Sequence, residues 1–86
     1  MSSTRTNAPY VTTRQVTATK DNGSSLAATV TAPAVDGYSF VCWCGVATDG
    51  DVGTPYIEEA TSTTTNVWDQ ARKGAKVVAT ALYQRS

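Results

Sequence analysis

The fold is decided by residues 38–47, which read YSFVCWCGVA. Aromatic, β-branched and cysteine side chains fill this stretch, and such residues favour a β-strand. Strict alternation predicts two faces, with Tyr38, Phe40, Cys42, Cys44 and Val46 on one and Val41 and Trp43 on the other. Because both faces are apolar, we expect this strand to be central in the fold or to share one face with a partner chain.

The flanking segments also favour strands. Threonine occurs 15 times and leucine only twice, a bias typical of strands rather than helices. Glycine, aspartate, asparagine and proline separate the short apolar runs, which lie at 10–18, 25–32, 56–57, 65–68 and 76–83. The sequence therefore predicts an all-β fold: a small antiparallel β-sandwich with an immunoglobulin-like outline and five to seven short strands.

Asp21-Asn22-Gly23 is the strongest turn signal in the sequence and predicts a hairpin between the first two strands. A two-residue loop would mix polar and apolar side chains on each face. A three-residue loop with a left-handed glycine instead places Val16 opposite Ala28 and Ala18 opposite Leu26. We expect this second register because it aligns the apolar faces.

Residues 69–73 predict one helical turn, with Asp69 as its N-terminal cap and Gly74 closing it. A short carboxylate or hydroxyl side chain at the cap accepts a hydrogen bond from the first free backbone N–H groups. Glycine after the last turn adopts the left-handed conformation at little steric cost. The turn would lead directly into the last strand.

The chain of 86 residues, 41% of them hydrophobic, is long enough for one small domain. Residues 1–8 are polar and aperiodic, so we expect a disordered lead-in or linker there and a single β-sandwich domain over 9–86. This loose start suggests a piece cut from a longer protein.

Charge and composition exclude several function classes. Seven basic residues balance seven acidic ones, so no net field attracts nucleic acid. No apolar run reaches the ~18–20 residues of a membrane span, so we expect no membrane partner. Histidine is absent, which removes the commonest general base and metal ligand. We therefore expect no enzymatic activity, no cofactor and no metal.

The two cysteines predict packing rather than chemistry. Cys42 and Cys44 lie two residues apart on one strand, roughly 7 Å from each other, which is too far for an unstrained disulfide. A tetrahedral zinc site needs four ligands, and the chain offers no further cysteine and no histidine. We expect both side chains to be reduced, half-buried thiols.

Five residues are candidates for ligand binding: Trp43, Tyr56, Trp68, Asp49 and Asp51. Aromatic rings could form a platform for a sugar, although in a small sandwich they more often belong to the core. Asp49-Gly50-Asp51 has the spacing of the first two ligands of a calcium loop. The rest of that loop pattern is missing, which favours a tight turn.

Glu58 and Glu59, beside Asp49 and Asp51, raise the alternative of paired carboxylates in a glycosidase. That chemistry needs two carboxyl groups held roughly 5–10 Å apart in a cleft, one of them with a raised pKa. A polar domain of this size favours an exposed pair of carboxylates instead.

Spaced aromatics and glycines in the last 50 residues form a recognisable pattern. They are Gly37-Tyr38-Ser39-Phe40-Val41-Cys42-Trp43, Gly50-Asp51-Val52-Gly53, Tyr56, Thr63-Thr64-Thr65-Asn66-Val67-Trp68 and Ala79-Thr80-Ala81-Leu82-Tyr83. The pattern resembles a small C-terminal β domain of tail or baseplate proteins from phages and prophages of Gram-positive bacteria, in which a tryptophan usually stands where this chain has Asp51. No catalytic residues come with the resemblance.

The resemblance implies a place in a virion, outside the cell after assembly in the bacterial cytoplasm. Partners would be other virion proteins or further copies of the chain, a trimer being common among phage appendages. We expect a non-enzymatic tail-associated module with a structural or host-surface adhesion role. The alternative is a carbohydrate-binding module whose surface aromatics stack on host cell-wall glycan.

Overall fold

The computed structural model describes residues 9–21, 27–48, 55–71 and 73–86. Six strands lie in these ranges: β1 (Val11–Thr19), β2 (Ala28–Thr31), β3 (Tyr38–Thr48), β4 (Tyr56–Ile57), β5 (Thr64–Trp68) and β6 (Lys76–Arg85). The described residues contain no helix, and so none long and apolar enough to cross a membrane. The predicted lead-in at 1–8 lies outside the described ranges.

The strands form two three-stranded antiparallel sheets. One sheet has the order β1-β6-β3 and the other the order β2-β5-β4. The prediction of a small all-β antiparallel sandwich is confirmed, with six described strands within the expected five to seven. The immunoglobulin-like outline stays a prediction.

The predicted hairpin between β1 and β2 is wrong, because these strands belong to different sheets. Val16 pairs with Ala79 of β6, and Ala28 pairs with Val67 of β5. The chain thus crosses from one sheet to the other after β1, and the two strands contact each other without pairing. Asn22, Gly23 and Leu26 lie outside the described residues.

Strand β3 does not alternate strictly, and this corrects the predicted faces. Its pairing with β6 shifts register between Phe40 and Cys42 and again between Trp43 and Gly45. Each shift inserts one extra residue, as in a β-bulge, so the next side chains change face. Phe40 and Trp43, predicted on opposite faces, therefore lie on the same side of the sheet.

Pairing with β6 identifies that side as the core. Trp43 pairs with Ala81 and Val46 with Ala79, and both alanines are fully buried. Directly opposed residues share a face, so Trp43 points into the sandwich. Cys42 pairs with Leu82 on the opposite side.

The cysteines are free, as expected. Cys42 is half-buried, but Cys44 is exposed, so the prediction of two half-buried thiols holds only for the first. Cys44 lies at the second register shift. Neither thiol points into the core.

The core between the sheets is small and rich in alanine. Its buried residues are Ala28, Val30, Trp43, Val67, Val77, Ala79, Ala81 and Tyr83. Phe40 joins the two large rings, with its centroid 5.7 Å from that of Trp43 and 5.9 Å from that of Tyr83, both edge to face. Such aromatic pairs are worth about 0.5–1.5 kcal/mol beyond burial.

The predicted helical turn after β5 is wrong, because residues 69–71 and 73–74 form no helix. Asp69 still caps the chain reversal, since its Oδ1 accepts a hydrogen bond of 2.6 Å from the backbone N–H of Ala71. Gly74 has a φ of 91°, the left-handed conformation expected there. Buried Asp69 also accepts from Thr48 through Oδ2 at 2.8 Å, and its backbone oxygen accepts from the buried Lys20 ammonium.

Candidate functional site

Trp43 is a core residue in the folded chain. Its side chain is 4% exposed, and its Nε1–H donates to the backbone oxygen of Ser62 at 2.7 Å. The ring is therefore closed to a ligand at the surface. Its proposed role in ligand binding has no support from the geometry, and the site below does not include it.

Tyr56 and Trp68 come together on the outer face of the β2-β5-β4 sheet. They are directly opposed across β4 and β5, and directly opposed residues point to the same side. Tyr56 is 60% exposed, whereas Trp68 is half-buried. Their neighbours Ile57 and Val67 pack at the core, so the two aromatic side chains face outward.

Glu58 fixes the edge of this aromatic pair. Its Oε1 accepts hydrogen bonds from Nδ2 of Asn66 at 3.0 Å and from Nε1 of Trp68 at 3.2 Å. These two donors, Asn66 first, lower the pKa of the Glu58 carboxyl from its ordinary value of 4.5. The side chain is exposed and ionised at neutral pH. Within the described part of the chain, no donor reaches Oε2.

These four residues, Tyr56, Glu58, Asn66 and Trp68, are called the aromatic platform below. Its polar side continues across the sheet: Thr29 Oγ1 donates to Oδ1 of Asn66 at 3.0 Å. The next pair of residues, Thr31 and Thr64, joins its hydroxyl groups at 3.2 Å. The outer face thus runs from exposed aromatics to a row of amide and hydroxyl groups.

Hydrogen bonds in and around the connection between β4 and β5 hold the platform residues in place. The connection between β4 and β5 is tied by the Glu58 N–H, which donates to the Asn66 oxygen at 3.0 Å, and by the Ser62 N–H, which donates to the Glu59 oxygen at 3.2 Å. The Glu59 N–H donates to the buried Thr65 hydroxyl at 2.9 Å. This closed connection aligns Glu58 with Asn66.

The platform offers two chemical functions. An exposed phenol ring beside an indole provides flat apolar area, and flat rings lose little conformational entropy on binding. The ionised carboxylate accepts hydrogen bonds, and the amide and hydroxyl groups both donate and accept them. Together they suit a ligand with apolar C–H faces and hydroxyl edges.

Sequence reasoning found only part of this site. Tyr56 and Trp68 were predicted as ligand-binding residues, and the structure places them together. Glu58 was considered only as a catalytic carboxylate, and Asn66 was not singled out. The alternation of Glu58 with Ile57, and of Asn66 with Val67, could have indicated an outward pair.

The two acidic candidates, Asp49 and Asp51, lie outside the described residues. Within the described ranges, no group of three or more cysteine, aspartate or glutamate side chains is arranged to hold a metal ion.

Comparison of the chain with protein-family models, with curated proteins and with solved structures finds no match.

Proposed function

We propose that this chain is a non-enzymatic adhesion module that binds host-surface glycan through the aromatic platform, as part of a phage or prophage tail. One observation supports a glycan as the ligand. A 60% exposed tyrosine stands opposite a tryptophan whose indole N–H is held by an ionised carboxylate. A sugar ring presents an apolar face and hydroxyl edges, and the platform matches both.

The state of Glu58 supports binding rather than catalysis. A glycosidase acid needs a carboxyl group whose pKa is raised by burial. The Asn66 and Trp68 donors lower the pKa of Glu58 instead. The carboxylate is exposed, and both of its donors bond Oε1, so Oε2 can accept from a ligand hydroxyl.

The placement in a tail rests on the resemblance of residues 37–83 to tail and baseplate domains. Its partners would then be other virion proteins or further copies of the chain, and its location the virion. Between the structural and the adhesion roles, the outward-facing platform favours adhesion, because a structural role does not require exposed aromatic and acceptor groups to converge.

The test is titration of the chain with purified cell-wall polysaccharide from Gram-positive bacteria, followed by tryptophan fluorescence. We expect a shift in emission from Trp68 but not from buried Trp43. The variant Trp68→Phe leaves Trp43 as the single tryptophan and should lose the shift when tryptophan is excited selectively. A shift that persists in this variant would contradict the assignment.

Two matched pairs of variants locate the ligand. Tyr56→Ala should weaken binding roughly threefold to tenfold, since one stacked ring contributes on the order of 1 kcal/mol. Tyr10→Ala is the control, because Tyr10 is 58% exposed but lies at the start of the other sheet. Glu58→Gln should weaken binding, and Glu59→Gln, at the exposed neighbouring position, should not.

Equal losses within either pair would show that the platform is not the binding surface. If no polysaccharide binds at millimolar sugar, the adhesion role is overturned. The structural role in a tail would then be the better explanation.

A further inference from the structure

Strand β1 is the most complete free edge in the described structure. The edge strands β2 and β4 have only four and two residues. The third edge, β3, is interrupted by two register shifts, and its Trp43 N–H is bonded to the Ala60 oxygen at 2.8 Å. In contrast, β1 pairs with β6 over nine consecutive residues without a shift. Natural sheets usually shorten, bend or cover their edges.

Hydrogen bonds at the two ends of β1 show which backbone groups point outward. The oxygen of Tyr10 accepts from Arg85 at 2.7 Å, and the N–H of Lys20 donates to Ala75 at 3.0 Å. Backbone groups alternate sides along an antiparallel strand. Even-numbered residues therefore bond to β6, while the N–H and C=O groups of odd-numbered ones, including Gln15, point to the free edge.

We propose that this edge pairs with the same edge of a second copy, antiparallel and across a twofold axis at Gln15. In this register Gln15 faces Gln15, Thr13 faces Thr17, and Val11 faces Thr19. The two sheets join into one continuous sheet of six strands. Such a contact is isologous and closes after two copies.

The proposed partner at this edge is a second copy of the chain, because β1 can pair with itself. Its middle residue is Gln15, which is also an outward-facing residue. In the register with complete overlap, odd-numbered residues oppose odd-numbered residues, so the outward backbone groups of the two copies can bond. Opposed threonine pairs stabilise antiparallel strands.

Charge opposes this pairing only weakly, because the two Arg14 side chains are exposed and lie diagonally across the axis instead of face to face. Arg14 is the only charged residue of β1, and the twofold places it opposite Val16 rather than opposite Arg14 of the second copy. Its guanidinium now donates to the Thr13 oxygen at 2.8 Å. Because this side chain is exposed, it can turn outward and release that oxygen to the Thr17 N–H of the second copy.

The experiment is light scattering behind a size-exclusion column, run on the 86-residue chain over a range of concentrations. We expect a mass that rises from 9.0 kDa to twice that value. Gln15→Pro removes an outward N–H without removing a bond to β6, so the dimer dissociation constant should rise by about tenfold or more. Gln15→Ala keeps the N–H and is the matched control, which should still dimerise.

A third variant tests the register. Gln15→Lys places two like charges face to face at the axis, so the dimer should weaken at low salt and recover at high salt. Far-UV circular dichroism confirms that each variant is folded. A wild-type monomer at every concentration, a trimer, or a dimer that Gln15→Pro leaves intact would each overturn the proposal. Because the platform lies on the other sheet, binding to a single sugar should be unchanged in all three variants.

Discussion

Replacing Trp43 by alanine tests the irregular register of β3, because only that register puts this ring in the core. Removing a buried tryptophan costs about 3–5 kcal/mol. The ring is 4% exposed, stacks edge to face on Phe40 and donates to the Ser62 oxygen, so the loss should fall in that range. At 0.05–0.15 kcal/mol per residue, the whole domain has roughly 4–13 kcal/mol. Trp43→Ala should therefore remove a large part of the domain's stability.

The measurement is urea unfolding followed by far-UV circular dichroism. With a slope of about 1 kcal/mol per molar urea, the midpoint should fall by roughly 3 M or more. Trp68→Ala is the control, because Trp68 is half-buried on the outer face and its indole bonds only the exposed Glu58. It should cost about 1 kcal/mol. If the two variants lose equal stability, Trp43 does not face the core and the described register of β3 is wrong.

Three further predictions concern single side chains and turns. An NMR titration should find the pKa of Glu58 below 4.5, and closer to that value in the variant Asn66→Ala. Because the pKa is lower in the folded state, ionised Glu58 stabilises the fold fully above the unfolded-state pKa. This stabilisation disappears as the pH falls through the folded-state pKa. Gly74→Ala should cost about 1–2 kcal/mol in thermal unfolding, because its φ of 91° is left-handed. Among the described residues, no atom lies within 4 Å of the added methyl, so steric contact adds no cost. Gly45→Ala, with an ordinary φ and 3.9 Å to its nearest contact, should cost less, and the reverse order would contradict this. Asp69→Ala should lower the free energy of unfolding in urea by about 2 kcal/mol, since it removes two hydrogen bonds at a buried position. A loss below about 0.5 kcal/mol would show that these bonds contribute little.

Strand identity could be predicted from the sequence because it depends on local alternation. Residues 76–83 alternate between buried and partly exposed positions as expected. Pairing depends on partners far along the chain, and the signal at Asp21-Asn22-Gly23 describes only the local reversal. This signal predicted a hairpin between β1 and β2, whereas β1 pairs with β6. A nine-residue strand opposite a ten-residue strand forms a longer ladder than the four residues of β2 allow.

The faces of β3 could not be predicted, because register shifts leave no simple mark in the sequence. Two apolar faces suggested either a central strand or a shared interface. The structure resolves this differently: the extra residue at the first shift turns Phe40 and Trp43 to one side. The apolar character of the other face is then limited to half-buried Cys42 and exposed Val41. Trp43 therefore gives no reason to expect a partner chain there.

In the candidate site, too, the features that depend on local sequence could be predicted and those that depend on strand pairing could not. Exposure of Tyr56 and Trp68 follows from alternation, but their direct opposition depends on the register between β4 and β5. The role of Glu58 depends on the same register, because Asn66 reaches it only across the strands. The sequence favoured an exposed carboxylate pair over a catalytic one, and in the fold Glu58 accepts hydrogen bonds from Asn66 and Trp68.

The platform and the core are built from alternate residues of the same two strands. Ile57 and Val67 hold the sheets together, and Tyr56 and Trp68, each one residue away, face outward. Since neighbouring residues in a strand point to opposite sides, the outer set can change without altering the packed set. Exchange of the outward-facing Tyr56 side chain should therefore have little effect on the packing that stabilises the domain. We expect exchanges at the exposed Tyr56 side chain to alter the proposed binding while the unfolding midpoint stays almost constant, a property that the proposed adhesion role would use.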